Sequence, residues 1–174
     1  MFGFEILAKL FKILRSGSSP AQIAWGFNFG MIIGLTPLMS LHNLLILILV
    51  IVFNVNLSVV FFSIALFSGF AYLLDPLFHN FGYYLLTAPE FLQGFYTAIY
   101  NIPLIALSNF NNTVVIGSFI SSLLLLTPFF FGVKSFVVVY REKIDPKLEK
   151  LKIVKIVKSS KIYGFYEKIR DWRD

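Results

Sequence analysis

The sequence contains no cysteine, which excludes disulfides, thiolate nucleophiles and thiolate metal sites. It contains only two histidines, so no zinc-type ligand spacing exists and a metal is not expected. No glycine-rich phosphate loop, paired-histidine protease motif or nucleophile elbow occurs. Enzymatic activity is therefore disfavoured, no catalytic residue is assigned, and no cofactor is expected. Charge is also scarce. Asp, Glu, Lys and Arg make up 14% of the chain, against about 25% in soluble proteins. None of the four occurs between positions 16 and 74, and only Asp75 and Glu90 occur from there to Lys134. A soluble domain of this length cannot bury so long an uncharged run, so the expected solvent is lipid.

What is present is apolar and aromatic, at 57% and 18% of residues. The net charge of +6 comes from the two ends. Lys9, Lys12 and Arg15 precede the uncharged region and a basic tail follows it. In a membrane protein such clusters mark the cytoplasmic face, so both termini are expected there and nucleic acid is not an expected partner. The N-terminal lysines do not introduce a signal peptide, because the apolar region is far too long and lacks a small-residue cleavage site.

The chain is organised around 20–53. Ser19, Pro20 and Gln22 form a helix start: an N-cap, a first-turn proline and the third residue of a capping box. Gly26, Gly30 and Gly34 then repeat every four residues and fall nearly on one face, where bare backbone allows close helix packing in lipid. Thr36-Pro37 stops the helix. Ser40-Leu41-His42-Asn43 restarts it, and Asn54-Val55-Asn56 is a polar turn. Two arms of roughly 24 and 20 Å are each shorter than a hydrocarbon core of about 30 Å. They predict a re-entrant helical hairpin with a polar tip. A proline-kinked span followed by a short second span is the alternative.

Residues 3–15 form a short amphipathic helix for the headgroup plane. Residues 57–74 form a first full span, stopped by Asp75-Pro76. Residues 76–108 hold one or two interfacial or dipping helices, rich in tyrosine and interrupted by Gly82, Pro89 and Pro103. Residues 113–140 form a second full span carrying a small-residue face at Gly117, Ser118, Ser121 and Ser122. Its Leu126-Thr127-Pro128 echoes Leu35-Thr36-Pro37, an echo best assigned to chance. Residues 141–174 form a basic cytoplasmic tail, open to anionic lipid or a cytoplasmic partner. The predicted fold is all-α and integral to the membrane, with 1–140 as the membrane domain.

Several segments together resemble a bacterial family known as domain of unknown function 2062. They are Ala24 to Pro37 (AWGFNFGMIIGLTP), Leu41-His42-Asn43, Asn56-Leu57-Ser58, Leu74 to Phe78 (LDPLF), Gly82 and Asn111 to Ser118 (NNTVVIGS). The resemblance covers residues 1–140 and is similar to the compact branch in which this domain is the whole protein. It departs at Asp75-Pro76, where many members carry Asn-Pro. It implies a multi-pass protein of the bacterial inner membrane and brings no reaction with it.

Polar groups at membrane depth single out three candidate sets. Thr36, Ser40, His42 and Asn43 form the hairpin tip, where a helix N-terminus suits an anionic group. Asp75 and His79, four residues apart, form a possible polar pair. Asn28 lies inside the glycine helix as possible interhelical glue. The leading functional expectation is transport of a lipid or amphipathic envelope compound by a homo-oligomer in contact with membrane lipids. The alternative is a non-transporting scaffold or accessory subunit. An enzyme built on Asp75, His79 and Glu90 ranks below both.

Overall fold

The computed structural model describes residues 11 and 13–149, and every regular element in them is helical. The amphipathic helix expected at 3–15 lies largely outside the described residues, as does the tail from 150 onward. The elements are α1 (Pro20–Leu35), α2 (Leu41–Val52), α3 (Leu57–Thr87), α4 (Glu90–Tyr100), α5 (Pro103–Ala106) and α6 (Thr113–Val139). A π-helical turn at Tyr140–Ile144 and α7 (Asp145–Glu149) follow. The described chain divides into two units between Ser135 and Phe136. The second unit holds the end of α6, the π turn and α7, and within it the Tyr140 hydroxyl donates to Asp145 at 3.3 Å.

Helix α1 begins as its sequence predicts. The Ser19 hydroxyl accepts from the Gln22 amide at 3.2 Å, and the Gln22 side chain accepts from the Ser19 amide at 2.9 Å. From Asn28 to Thr36 every residue of this segment is buried, so α1 is the centre around which the first unit packs.

The glycine stripe determines what packs there. A Cβ on Gly26 would meet Asn56 and Val59, one on Gly30 would meet Val60 and Ser63, and one on Gly34 would meet Ile64 and Phe67. Partner numbers rise together, so α1 and α3 run parallel in close backbone contact. Ser63 adds a hydrogen bond from its hydroxyl to the Phe27 carbonyl at 2.7 Å. Helix α2 returns antiparallel against α1. Phe29, Ile32 and Ile33 of α1 cluster with Ile46 and Val50 of α2 and Val60 of α3.

Residues 20–53 are therefore a helical hairpin, and its two ends meet. The Gln22 side chain donates from Nε2 to the Asn54 carbonyl at 3.2 Å, and the Asn56 side chain donates from Nδ2 to the Ser18 hydroxyl at 2.8 Å. Asn54 takes a left-handed φ of 46° just past α2, a common asparagine role at helix ends. Asn56 caps α3 by accepting from Val59 N at 3.2 Å.

Helix α6 also packs on α1, antiparallel to it. Met31, Leu35 and Phe78 pack with Val114 and Phe129. Lower on α1, the Trp25 ring lies 4.8 Å from Phe130. Asn28, fully buried, donates from Nδ2 to the Leu126 carbonyl at 2.9 Å, an interhelical bond of about 0.6 kcal/mol on average in membrane proteins. Helices α3 and α6 approach closest at Gly82 and Gly117. A Cβ on Gly82 would strike the Thr113 carbonyl, and one on Gly117 would strike the Phe78 carbonyl.

One boundary differs from the sequence reading. The helix expected to stop at Leu74 continues through Asp75-Pro76 to Thr87. Pro76 removes one internal hydrogen bond, but the residues beyond it are held by Phe78 and Gly82 against α6. The interfacial stretch predicted for 76–108 thus loses its first third to α3. The two Leu-Thr-Pro triplets also part company. Pro37 ends α1, whereas Pro128 lies inside α6.

Two helical stretches, Leu57–Thr87 and Thr113–Lys147, are long and apolar enough to cross a membrane, and only 22% and 28% of their most apolar windows are buried. A soluble protein's core helix shows the opposite. Leu44, Leu45, Ile48 and Ile51 of α2 and Phe61, Phe70 and Leu73 of α3 are likewise exposed, an apolar surface too extensive for ordinary contact with water.

Candidate functional site

The hairpin tip is built from residues that the helices cannot satisfy by themselves. Pro37 ends α1, and its carbonyl and that of Leu38 turn inward. Asn43 Nδ2 donates to both, at 3.0 and 3.3 Å. The Ser40 hydroxyl donates to the Pro37 carbonyl at 2.7 Å. The Thr36 hydroxyl lies 2.8 Å from the Ile32 carbonyl and 3.0 Å from Asn43 Oδ1, its single proton shared between two acceptors. Thr36, Ser40 and Asn43 are all buried, whereas Leu38 and Met39 at the apex are 61% and 95% exposed. Three of the four predicted tip residues therefore serve the turn itself.

His42 does not. It is 4% exposed, and both ring nitrogens lack a hydrogen-bond partner. A buried polar atom without a partner costs about 1–3 kcal/mol. The ring is instead held by aromatic carbon. It stacks on Phe110 at 5.8 Å with planes 16° apart, and tilts against Phe119 at 4.7 Å. Phe110 and Phe119 lie 5.6 Å from each other, which closes the cage.

Phe110 reaches this place from the loop before α6. Asn109 before it takes φ 57°. Asn112 after it accepts from the Val114 and Val115 amides at 2.9 and 3.3 Å, capping α6. The same phenylalanine lines a cavity of about 270 Å³ with Leu86, Tyr96, Ile99, Tyr100 and Ile105, and with Thr97, Asn101 and Asn111 as its polar members. That is near the lower end of ligand sites, roughly 300–1,000 Å³, a size for part of a chain rather than a whole lipid. One ring thus joins a mostly apolar cavity to an unpartnered imidazole.

The other candidates stay apart from this arrangement. His79 Nδ1 lies 2.7 Å from the Thr113 hydroxyl, on the exposed side of α3, and no hydrogen bond joins it to Asp75. Glu90 is the first residue of α4, where the helix dipole favours a carboxylate. Gly26, Gly30 and Gly34 are spent on the α1–α3 contact. Among the described residues no group of three His, Cys, Asp or Glu gathers that could hold a metal.

Phe110, Phe119, Tyr96 and Tyr100 are the functional candidates that sequence reasoning passed over. The available signal was local: Phe110 is one aromatic within Asn109-Phe110-Asn111-Asn112, a placement that a purely polar turn does not need.

Comparison with known proteins adds relatives without a described activity. The family model described as "Uncharacterized protein conserved in bacteria (DUF2062)" matches residues 6–144. A curated protein of Treponema pallidum (strain Nichols), described as an uncharacterized protein, is 27% identical over 154 residues, covering 88% of this chain and 94% of that protein. No solved structure matches.

Proposed function

Because the chain belongs to the DUF2062 family, we propose a function from the helical scaffold itself: it is a bacterial inner-membrane carrier that moves a lipid or other amphipathic envelope compound. Residues 57–74 and α6 cross the bilayer, both termini lie in the cytoplasm, and the α1–α2 hairpin enters and leaves on the cytoplasmic side. The joined hairpin ends at Gln22–Asn54 and Ser18–Asn56 favour both ends on one side of the membrane. Arm lengths of about 24 and 18 Å, short of a hydrocarbon core of about 30 Å, and the exposed Leu38 and Met39 at the apex support the re-entrant reading. With two crossings a single chain encloses no pathway, so the carrier is a homo-oligomer.

The observation that carries the reading is the cavity that ends on Phe110, with His42 behind that ring. Apolar walls with few polar members suit an acyl or polyprenyl segment. The scaffold reading gives the buried, unpartnered imidazole no role. The test is transbilayer movement of fluorescent phospholipid in liposomes holding the purified full chain, followed by chemical quenching of the outer leaflet. Quenching of the inner-leaflet pool is expected well above the rate in protein-free liposomes, and Thr97→Trp, which fills the cavity, should slow it. Equal rates with and without protein would sink the carrier and favour the scaffold.

A further inference from the structure

We propose that the buried start of α2 is the head-group site of this carrier, taking the oxyanion, phosphate or carboxylate, of an amphipath whose tail lies in the Phe110 cavity. The inference rests on the carrier reading and adds the chemistry of the cargo.

Two independent features converge there. First, α2 has a complete helix N-terminus. Ser40 makes no side-chain cap, and its hydroxyl is turned to the Pro37 carbonyl instead. Only the Asn43 amide finds a backbone acceptor, the Ser40 carbonyl at 3.0 Å. Among the described residues no acceptor meets the Leu41 and His42 amides. No acidic residue occupies the first turn, so the partial positive charge of the helix end is uncompensated. Second, the His42 ring sits on that same turn, nearly fully buried, with both nitrogens unpartnered. A neutral imidazole offers one donor and one acceptor, and an imidazolium offers two donors. An acidic head group satisfies either form: it supplies oxygens to the ring and to the turn, and its own proton can pass to the ring. An uncharged alcohol satisfies far less of the site.

Phe110 is the piece between tail and head. It lines the cavity and stacks on His42, so displacement of this one aromatic ring is what opens the imidazole to the cavity. The hydroxyl and amide groups of Thr36, Ser40 and Asn43 take no part, because the turn already uses them.

The test uses the full chain in dodecyl maltoside with His79→Gln, which leaves His42 as the one histidine. Its ring nitrogens are followed by nitrogen-15 NMR during addition of monododecyl phosphate, dodecanol or inorganic phosphate. Cavity occupancy is read in parallel from protection of a Thr97→Cys variant against a thiol reagent. Monododecyl phosphate is expected to shift both ring nitrogens and to protect the thiol, and dodecanol to protect without the shift. Inorganic phosphate should do neither. In His42→Ala the advantage of phosphate over alcohol in protection should fall by about tenfold or more, the worth of a charge-assisted hydrogen bond. Thiol protection by monododecyl phosphate without a His42 shift would overturn the head-group site and leave the carrier standing. Neither protection nor shift would overturn both. A shift with inorganic phosphate alone would reduce the site to a plain anion site and overturn the amphipath.

Discussion

Gly82→Ala separates α3 from α6 and is expected to leave little folded protein. A Cβ at this position would strike the Thr113 carbonyl, and the neighbouring Gly117 has the same relation to the Phe78 carbonyl. The obstacle is backbone on both sides, so no side chain can rotate out of the way. Overpacking of a side-chain core costs about 1–3 kcal/mol, and a backbone obstacle belongs at or beyond the upper end. The loss spreads, because Phe78 and Val114 on either side of that contact hold Met31 and Leu35 of α1. The glycines should then rank by what surrounds them. Gly30→Ala, with Val60 O and Ser63 Cβ each 2.5 Å from the new carbon, is expected next. Gly26→Ala, where the nearest atom is 3.1 Å away, should be mild. Gly69→Ala meets nothing within 4 Å and should gain up to about 1 kcal/mol of helix propensity. Unfolding midpoints in detergent measure the order, and a Gly69 variant as damaged as the Gly82 variant would refute the packing.

Only one of the two histidines should react with diethyl pyrocarbonate in the native protein. His79 is exposed, with one ring nitrogen on the Thr113 hydroxyl, while His42 is 4% exposed behind Phe110 and Phe119. The reagent needs a bare ring nitrogen and a way in. His42 has the first and lacks the second. Phe110→Ala supplies the second, and modification should rise from one to both of the histidines in the chain. Peptide-level mass spectrometry, which separates modified histidine from modified lysine and tyrosine, reads the count directly. Two rapid modifications in the unaltered protein would remove the aromatic cage, and with it the reason to link cavity and imidazole.

Much of this fold was legible because its signals are local. Ser19, Pro20 and Gln22 set the start of α1, Thr36-Pro37 set its end, and Asn54 to Asn56 set the turn before α3; each acts within a few residues. The glycine stripe was legible as a packing face, but its partner was not, since Val60, Ser63 and Phe67 carry no mark that names α1. Pro76 was misleading because a proline stops a helix only when the chain after it has somewhere better to go. After Pro37 the carbonyls find Asn43 and Ser40. After Pro76 nothing captures them, and Gly82 has a helical contact to keep. The site divides in the same way. The tip residues were visible as polar groups in an apolar run, yet the roles of Thr36, Ser40 and Asn43 depend on mutual geometry. The importance of His42 depends on Phe110 and Phe119, more than sixty residues away in sequence, and no spacing rule reaches that far.

The claim on which the rest depends is that 20–53 enters and leaves the membrane on one side without crossing it. The absence of native cysteine makes that directly measurable. Single cysteines replace Ser18, Met39, Asn56 and Asn111 in turn, and cells are treated with a membrane-impermeant thiol reagent before and after permeabilisation. The account predicts that the Ser18 and Asn56 positions react only after permeabilisation, that Asn111 reacts from outside, and that Met39, exposed yet facing lipid, reacts in neither case. Labelling of Met39 from outside would mean that the hairpin crosses twice, and labelling of Ser18 and Asn56 from opposite sides would contradict the joined ends on which the fold is built.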